Sequence, residues 1–343
     1  MKRNYSFDLL RIVAALGVIG LHIAGEDVFD AQYGSLNSWA LNMYHCIGRF
    51  AVPCFFMITG CLYLSEKRNL ELNKKYILNI IRFIVLYVLY SIGYAAMATI
   101  FDGGIDKNFI PSVLLHAMTS PKYHLWYLPS YVGVLLSFII VKKFLEGCNY
   151  NKRIIQYILI LYLVTVILRS IAIVCPENFV LIEFLQRFNA DIFLNWTGVA
   201  LLGLYINDYM SDKNYKFLVI LGIISIIIAN QFSYYGYGRI ETAFYDKQSF
   251  QVLMFAASIF IIVVKYIKIN NDNIKKIINN IAPLTLGIYL IHPVLLNLLT
   301  AIGFKTYNYN AMLVVLLVEI GTFIIIGLIV KVLSVIPIVK KLV

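Results

Sequence analysis

Charge is scarce in this chain. Only 14% of its 343 residues are Asp, Glu, Lys or Arg, while 61% are hydrophobic and the mean hydropathy is +0.79. That shortage excludes a soluble globular domain of this size, in which about a quarter of residues carry charge. It leaves an all-α, polytopic membrane protein. Cysteine is equally thin: five residues, an odd number, with no C-x-x-C pair. Such usage excludes a disulfide framework and a zinc site, so no metal is expected; Cys46, Cys54 and Cys61 read as packing residues of one apolar segment. There is no internal repeat, low-complexity tract or soluble domain, so residues 1–343 read as one transmembrane domain. The net charge of +11 could suit nucleic acid. The basic residues instead sit in short clusters between apolar runs, so membrane lipids are expected partners and nucleic acid is not. The first apolar run follows Lys2 and Arg3, as a signal peptide would. Asp8 and Arg11 interrupt it and no clean cleavage signal follows, so it reads as a retained helix.

Windows of about twenty apolar residues predict ten spans: 7–24, 38–64, 76–101, 123–144, 154–174, 187–206, 215–232, 247–268, 277–300 and 310–337. If the N-terminus is cytoplasmic, the inside connections and tail hold 18 Lys and Arg residues and the outside connections hold 6. That asymmetry predicts N-in and C-in. Many of the 25 tyrosines fall at span ends, as interfacial belts do. The longest outer connections, 102–122 and 233–247, are turn-rich or aromatic and read as ordered lids.

The few ionisable residues inside spans carry the functional signal, because each is costly in a bilayer. In FDLLRIVAALGVIGLHIAG, eleven helical steps from Arg11 to His22 make three turns plus about 20°, so both lie on one face, about 16 Å apart along the axis. Asp8 is close enough to pair with Arg11. The plainer reading of Arg11 is a snorkelling anchor; the aligned His22 weighs against it. In YHCIGRFAVPCFFMITGCLYL, Arg49 lies about midway down, with His45 one turn above and Pro53 predicted to kink the segment. A mid-bilayer arginine beside a kink faces a polar cavity or a partner, and Glu319 of the last span is a candidate ion-pair partner. HLWYLPSY places His124 and Trp126 at an outer boundary, where an aromatic belt is the plainer reading. IAPLTLGIYLIHPVLL places His292 in an outer half, followed by Pro293 and preceded by Tyr289. A lone histidine is more often a satisfied core residue, but His22, His124, His292 and Arg49 could converge. Asp191 and Asn195 could line a cavity or cap and pair. The run from His22 to Asp27 is similar to the H-x4-D pattern of glycerolipid acyltransferases. The match is short and falls on the outer side, although Asp27 or Glu26 could orient His22.

These segments together resemble the acyltransferase-3 family of integral membrane acyltransferases. The likeness rests on FDLLRIVAALGVIGLH, RFAVPCFFMITGCLYL, HLWYL, FLNWTGVALLGLYI and LGIYLIHPV, and runs from Tyr5 into the final span. It implies a bundle of about ten helices in the cell membrane. It implies transfer of an acyl group, usually acetyl, from cytoplasmic acyl-CoA to a hydroxyl of an extracytoplasmic or lipid-linked glycan. Arg11 and His22 match the family's paired motif, and Arg49 matches the arginine before its V-P-x-F-F segment. The chain ends shortly after its last span, so no appended soluble domain is expected. On this reading His22 is the base, in a hydrophobic setting that keeps it neutral; a transiently acylated His22 is also open. Arg49 holds pantetheine carbonyls or the oxyanion, and Arg11 takes the phosphates of acyl-CoA, the co-substrate. His124, Trp126, Tyr289 and His292 would contact substrate. The competing reading is a small-solute or amino-acid transporter, like the membrane part of racemase-linked relatives. No inverted repeat supports it.

Overall fold

The computed structural model describes residues 3–336 except 104, 106–107, 175–182, 184–186 and 188–194. Among the described residues there is no strand, and nine helical stretches are long and apolar enough to cross a membrane. The protein is an all-α polytopic membrane protein. The expected span 187–206 is represented by a helix from Trp196; Asp191 and most of that segment's first half lie outside the described residues.

Two compact units form, 66–149 and the remainder. In the larger unit, α1 (Tyr5–Asp27) starts where Asn4 caps it by accepting from the amides of Ser6 and Phe7. Such a side chain satisfies donors that have no partner in the first turn. Ser35 caps α2 (Leu36–Ile47) in the same way. The expected second span is one helical stretch, Leu36–Tyr63, interrupted by a 3-10 turn, Gly48–Phe50, before α3 (Ala51–Tyr63). Pro53 has no amide proton and its ring crowds the carbonyl one turn back, that of Arg49. The break therefore falls on the residue whose position matters most.

The larger unit continues with α7 (Lys152–Val174), α8 (Trp196–Asp208), α9 (Asp212–Tyr235) and α10 (Phe250–Ile261), whose end loosens into a π turn, Ile262–Tyr266. A short amphipathic α11 (Asp272–Ile281) leads through a 3-10 turn at Pro283 into α12 (Thr285–Ala301). The last helix is α13 (Ala311–Leu333). α3 and α8 lie in near-backbone contact: a Cβ on Gly60 would stand 1.9 Å from the Ala200 carbonyl oxygen. Small residues permit such approach where no water drives helices together. Ile19, Ile23 and Ala24 of α1, Leu41 of α2, Ile288 and Leu296 of α12, and Val315 and Ile326 of α13 share one buried core.

The smaller unit holds α4 (Lys74–Gly103), α5 (Phe109–Thr119) and α6 (Tyr127–Gly147). Tyr76 donates to the Leu135 carbonyl, and the Phe83 and Tyr131 rings meet at 4.5 Å. The connection 102–122 contains α5, and the connection 233–247 contains a 3-10 turn, Thr242–Tyr245, so both are at least partly ordered.

Candidate active site

Two polar clusters lie at or against α1. The first joins α1 to α12. His22 Nδ1 and His292 Nε2 are 2.8 Å apart, with parallel ring planes. His292 is fully buried, and its Nδ1 lies 2.8 Å from the Tyr289 carbonyl oxygen and 3.2 Å from that of Ile288. A carbonyl can only accept, so His292 Nδ1 carries the proton and its Nε2 carries the lone pair. That lone pair accepts from His22 Nδ1–H. His22 is then the tautomer whose basic nitrogen is Nε2. Pro293 follows His292 inside α12. The sequence singled out Tyr289 for its side chain, but here its carbonyl fixes a tautomer, and the ring is buried 6.2 Å from that of His292.

The second cluster joins α2 to the loop before α10. The 3-10 turn crosses α1 closely: a Cβ on Gly48 would stand 2.6 Å from the Gly17 carbonyl oxygen. One turn towards the N-terminus of α2, the His45 ring lies against Gly25, three residues beyond His22 on α1. Arg49 Nη2 is 2.9 Å from His45 Nε2. A guanidinium only donates, so that nitrogen accepts and His45 is neutral. His45 Nδ1–H then donates to the Tyr245 hydroxyl at 3.2 Å, and Tyr245 donates to Asn42 Oδ1 at 2.8 Å. Asn42 Nδ2 in turn donates to Asn230 Oδ1, and Ser233 also donates to Asn42 Oδ1. The chain of donors runs one way, from Arg49 outward. Arg49 Nε is buried and, among the described residues, has no hydrogen-bond partner. Among the described residues Arg49 forms no ion pair: Glu319 is not its partner but sits over Gly20 of α1, where a Cβ would stand 2.7 Å from the carboxylate.

Near the start of α1, Arg11 Nη1 bonds Asp8 Oδ1 at 2.8 Å, and Arg3 Nε takes Asp8 Oδ2 at 2.6 Å. The expected Asp8–Arg11 pair is therefore present. At the opposite end, Asp27 is committed elsewhere. Its Oδ1 accepts from Lys305 Nζ at 3.0 Å, and its Oδ2 accepts from the Thr306 amide and hydroxyl at 2.7 Å each. Asp27 thus ties down the connection before α13 and does not orient His22, which has His292 instead.

His124 and Trp126 belong to the smaller unit. His124 is buried, with the Tyr94 ring edge-on at 5.2 Å, and Trp126 immediately precedes α6. The contacts that sequence reading missed are Tyr245, Asn42 and Asn230. His45 one turn before Arg49 was a local signal. Tyr245 offered none, because it arrives on a loop about two hundred residues away.

Among the described residues no group of His, Cys, Asp and Glu could hold a metal ion. Neither a curated protein nor a solved structure matches the chain. A family model described as an acyltransferase domain matches residues 4–333, so the chain belongs to the acyltransferase-3 family.

Proposed function

We propose that the protein is a cell-membrane O-acyltransferase with its N-terminus in the cytoplasm. It moves an acyl group, most simply acetyl, from cytoplasmic acyl-CoA to a hydroxyl of a cell-surface or lipid-linked glycan. The observation that carries this reading is the His22–His292 pair, in which a backbone carbonyl sets both tautomers and leaves the lone pair on His22 Nε2. A general base needs that lone pair, at hydrogen-bonding reach of the hydroxyl it deprotonates. The acceptor oxygen attacks the thioester carbonyl as its proton passes to His22 Nε2. The carbonyl oxygen becomes an oxyanion, for which Arg49 supplies positive charge at mid-depth. Collapse breaks the carbon–sulfur bond, and the departing thiolate takes the proton back from His22. His292 Nε2 accepts from His22 Nδ1–H throughout and so favours the imidazolium intermediate, as the carboxylate of a serine-protease triad does.

Arg11 stands about 16 Å from His22 along α1. That is too far to touch the same carbonyl and comfortable for the extended arm of coenzyme A, so Arg11 binds the donor's phosphates while His22 acts on the acceptor. His124 and Trp126 are proposed as further substrate contacts. The test uses proteoliposomes with labelled acetyl-CoA on the cytoplasmic side, followed by mass analysis of cell-surface glycans with and without the protein. His22→Ala should lower label transfer by about 10²–10⁴-fold, the usual worth of a general base. His292→Ala should lower it less, because the base survives but loses its fixed tautomer. Undiminished transfer by His22→Ala would remove the base assignment. Solute movement without labelling would favour a transporter.

A further inference from the structure

α9 ends in a run of aromatic residues that the acyl-transfer steps do not use. The Tyr234 ring is buried, and two tyrosines pack on it. Tyr33, from the connection between α1 and α2, stacks on it at 5.2 Å, and Tyr235 meets it edge-on at 4.9 Å. A second ring group starts on the same turn of α9: Phe232 stacks on Phe244 at 5.8 Å, and Tyr237 lies 6.0 Å from Phe244. Main-chain bonds hold the rings in place. The Tyr33 hydroxyl donates to the Tyr234 carbonyl at 2.8 Å, and the Gly34 amide donates to the Tyr234 hydroxyl at 3.1 Å. Past Tyr237 the chain reverses at Gly238, with φ +65, and the Glu241 amide donates to the Ser233 carbonyl at 2.9 Å. Tyr33, Tyr235 and Tyr237 nevertheless stay 41%, 62% and 57% exposed. An interfacial belt accounts for single rings at the end of a span. It does not call for rings from two separate connections to be ordered against one another.

These rings are continuous with the candidate active site. Ser38, Asn42, His45 and Arg49 follow at one-turn spacing along α2 and its 3-10 turn. The Tyr234 hydroxyl stands 2.6 Å from Ser38 Oγ, Ser233 donates to Asn42, and Tyr245 accepts from His45. Phe244 and Tyr245 are neighbours in one 3-10 turn, so that turn both completes the second ring group and supports the histidine beside Arg49. From Ser38 to Arg49 the chain rises about 16 Å at helical geometry.

We infer that Tyr33, Tyr235 and Tyr237 form a saccharide-binding platform, on which remote sugars of an oligosaccharide acceptor stack while its reacting hydroxyl lies at the candidate active site. The inference rests on the acyltransferase reading and its N-in orientation, which places these connections outside, and deepens it. The C–H face of a pyranose is apolar and weakly positive, and it meets the negative face of an aromatic ring. Tyrosine offers that face at little entropic cost, with a hydroxyl at its rim for sugar hydroxyls. The separation of about 16 Å exceeds one sugar ring, so stacking here and reaction beside Arg49 together require a chain.

The test measures binding to the full-length protein in nanodiscs. The probes are the producing cell's own surface saccharide, de-O-acylated and cut into fractions from monosaccharide to long chain. The longest fraction should bind at least about tenfold more tightly than the monosaccharide, a difference of about 1.4 kcal/mol. That preference should largely vanish when Tyr33→Ala and Tyr235→Ala are combined, and shrink in Tyr237→Ala, which lies on an exposed turn. Tyr235→Phe keeps the ring and should keep the preference. Binding of no fraction, equal binding of all, or a preference undiminished in the double variant would overturn the platform. Loss of stability in the bilayer at unchanged length preference would assign the rings to a membrane belt and overturn it too. Transfer of label from acetyl-CoA is read separately in proteoliposomes. Length preference without transfer would keep the platform and remove the acyltransferase reading, and transfer without length preference would do the reverse.

Discussion

Arg11 and Arg49 are both arginines within membrane spans, and their surroundings are opposite. Arg11 is bonded to a buried carboxylate, Asp8, which a second arginine shares, and it is partly exposed near one end of α1. Arg49 sits at a helix break and, among the described residues, donates only to a neutral histidine and keeps a buried Nε–H unbonded. A paired, half-exposed arginine near a face has little to gain from a new partner beyond screened Coulomb attraction. An unpaired, desolvated one gains a great deal when negative charge appears beside it. The difference separates a residue that attracts a ligand from one that acts on the charge developing in a reaction.

The largest expected effect follows from that contrast. Arg49→Ala should lower kcat for acyl transfer by about 10²–10³-fold, the scale set by removal of an oxyanion donor. Arg11→Ala should raise KM for acyl-CoA several-fold, leave kcat nearly unchanged, and do so less at high salt. Steady-state kinetics in proteoliposomes at two ionic strengths reads both. A fall in kcat with Arg11→Ala, or an effect of Arg49→Ala confined to KM, would reverse the two roles.

How much of this was visible in the sequence depends on how local each feature is. The Arg11–His22 stripe and the Asp8–Arg11 pair were legible because a continuous helix fixes both by period alone, and α1 is continuous from Tyr5 to Asp27. That His45 stands beside Arg49 was legible from their spacing of four residues. That His22 and His292 could meet was a guess from two outer-half histidines; their pairing, and the carbonyl that sets the tautomers, needs the packing of α1 on α12. The break at Gly48–Phe50 was displaced from the expected kink because Pro53 acts on the turn before it. The least legible contact is Tyr245. The loop SYYGYGRIETAFY reads as an aromatic outer lid, yet its last tyrosine is fully buried against His45. No periodicity links a loop to a helix so remote in sequence.

Tyr245→Phe tests whether the network behind Arg49 matters to chemistry or only to folding. It removes the hydroxyl that accepts from His45 and donates to Asn42, and leaves a buried imidazole N–H without its partner, at a cost of about 1–3 kcal/mol. A few-fold loss of kcat beyond the loss of folded protein would show that the network aims Arg49. A lower Tm with unchanged turnover per folded molecule would show a structural role only. Asn42→Ala, one step further along the donor chain, should have a smaller effect in the same direction.

Lys305 provides the fully paired extreme. It lies outside the spans, where its hydrogen bond to Asp27 holds its pKa above the ordinary 10.5, and it also reaches Asp30 at 3.3 Å. Like Arg11 it is satisfied by carboxylate, so Lys305→Met should leave acyl transfer untouched and cost only about 1 kcal/mol of stability, discounted for partial exposure. A lysine whose pKa is raised on folding contributes stability that is fully present below its unfolded value and is lost as pH rises through the folded one. The gap in Tm between the native protein and Lys305→Met should therefore be constant through neutral pH and close only above about pH 10.5. A gap that closed near pH 7 would mean that the strap depends on some other titrating group. A fall in turnover at unchanged Tm would mean that a paired cation at this end of α1 does act on the reaction, and the contrast between Arg11 and Arg49 would lose its basis in pairing.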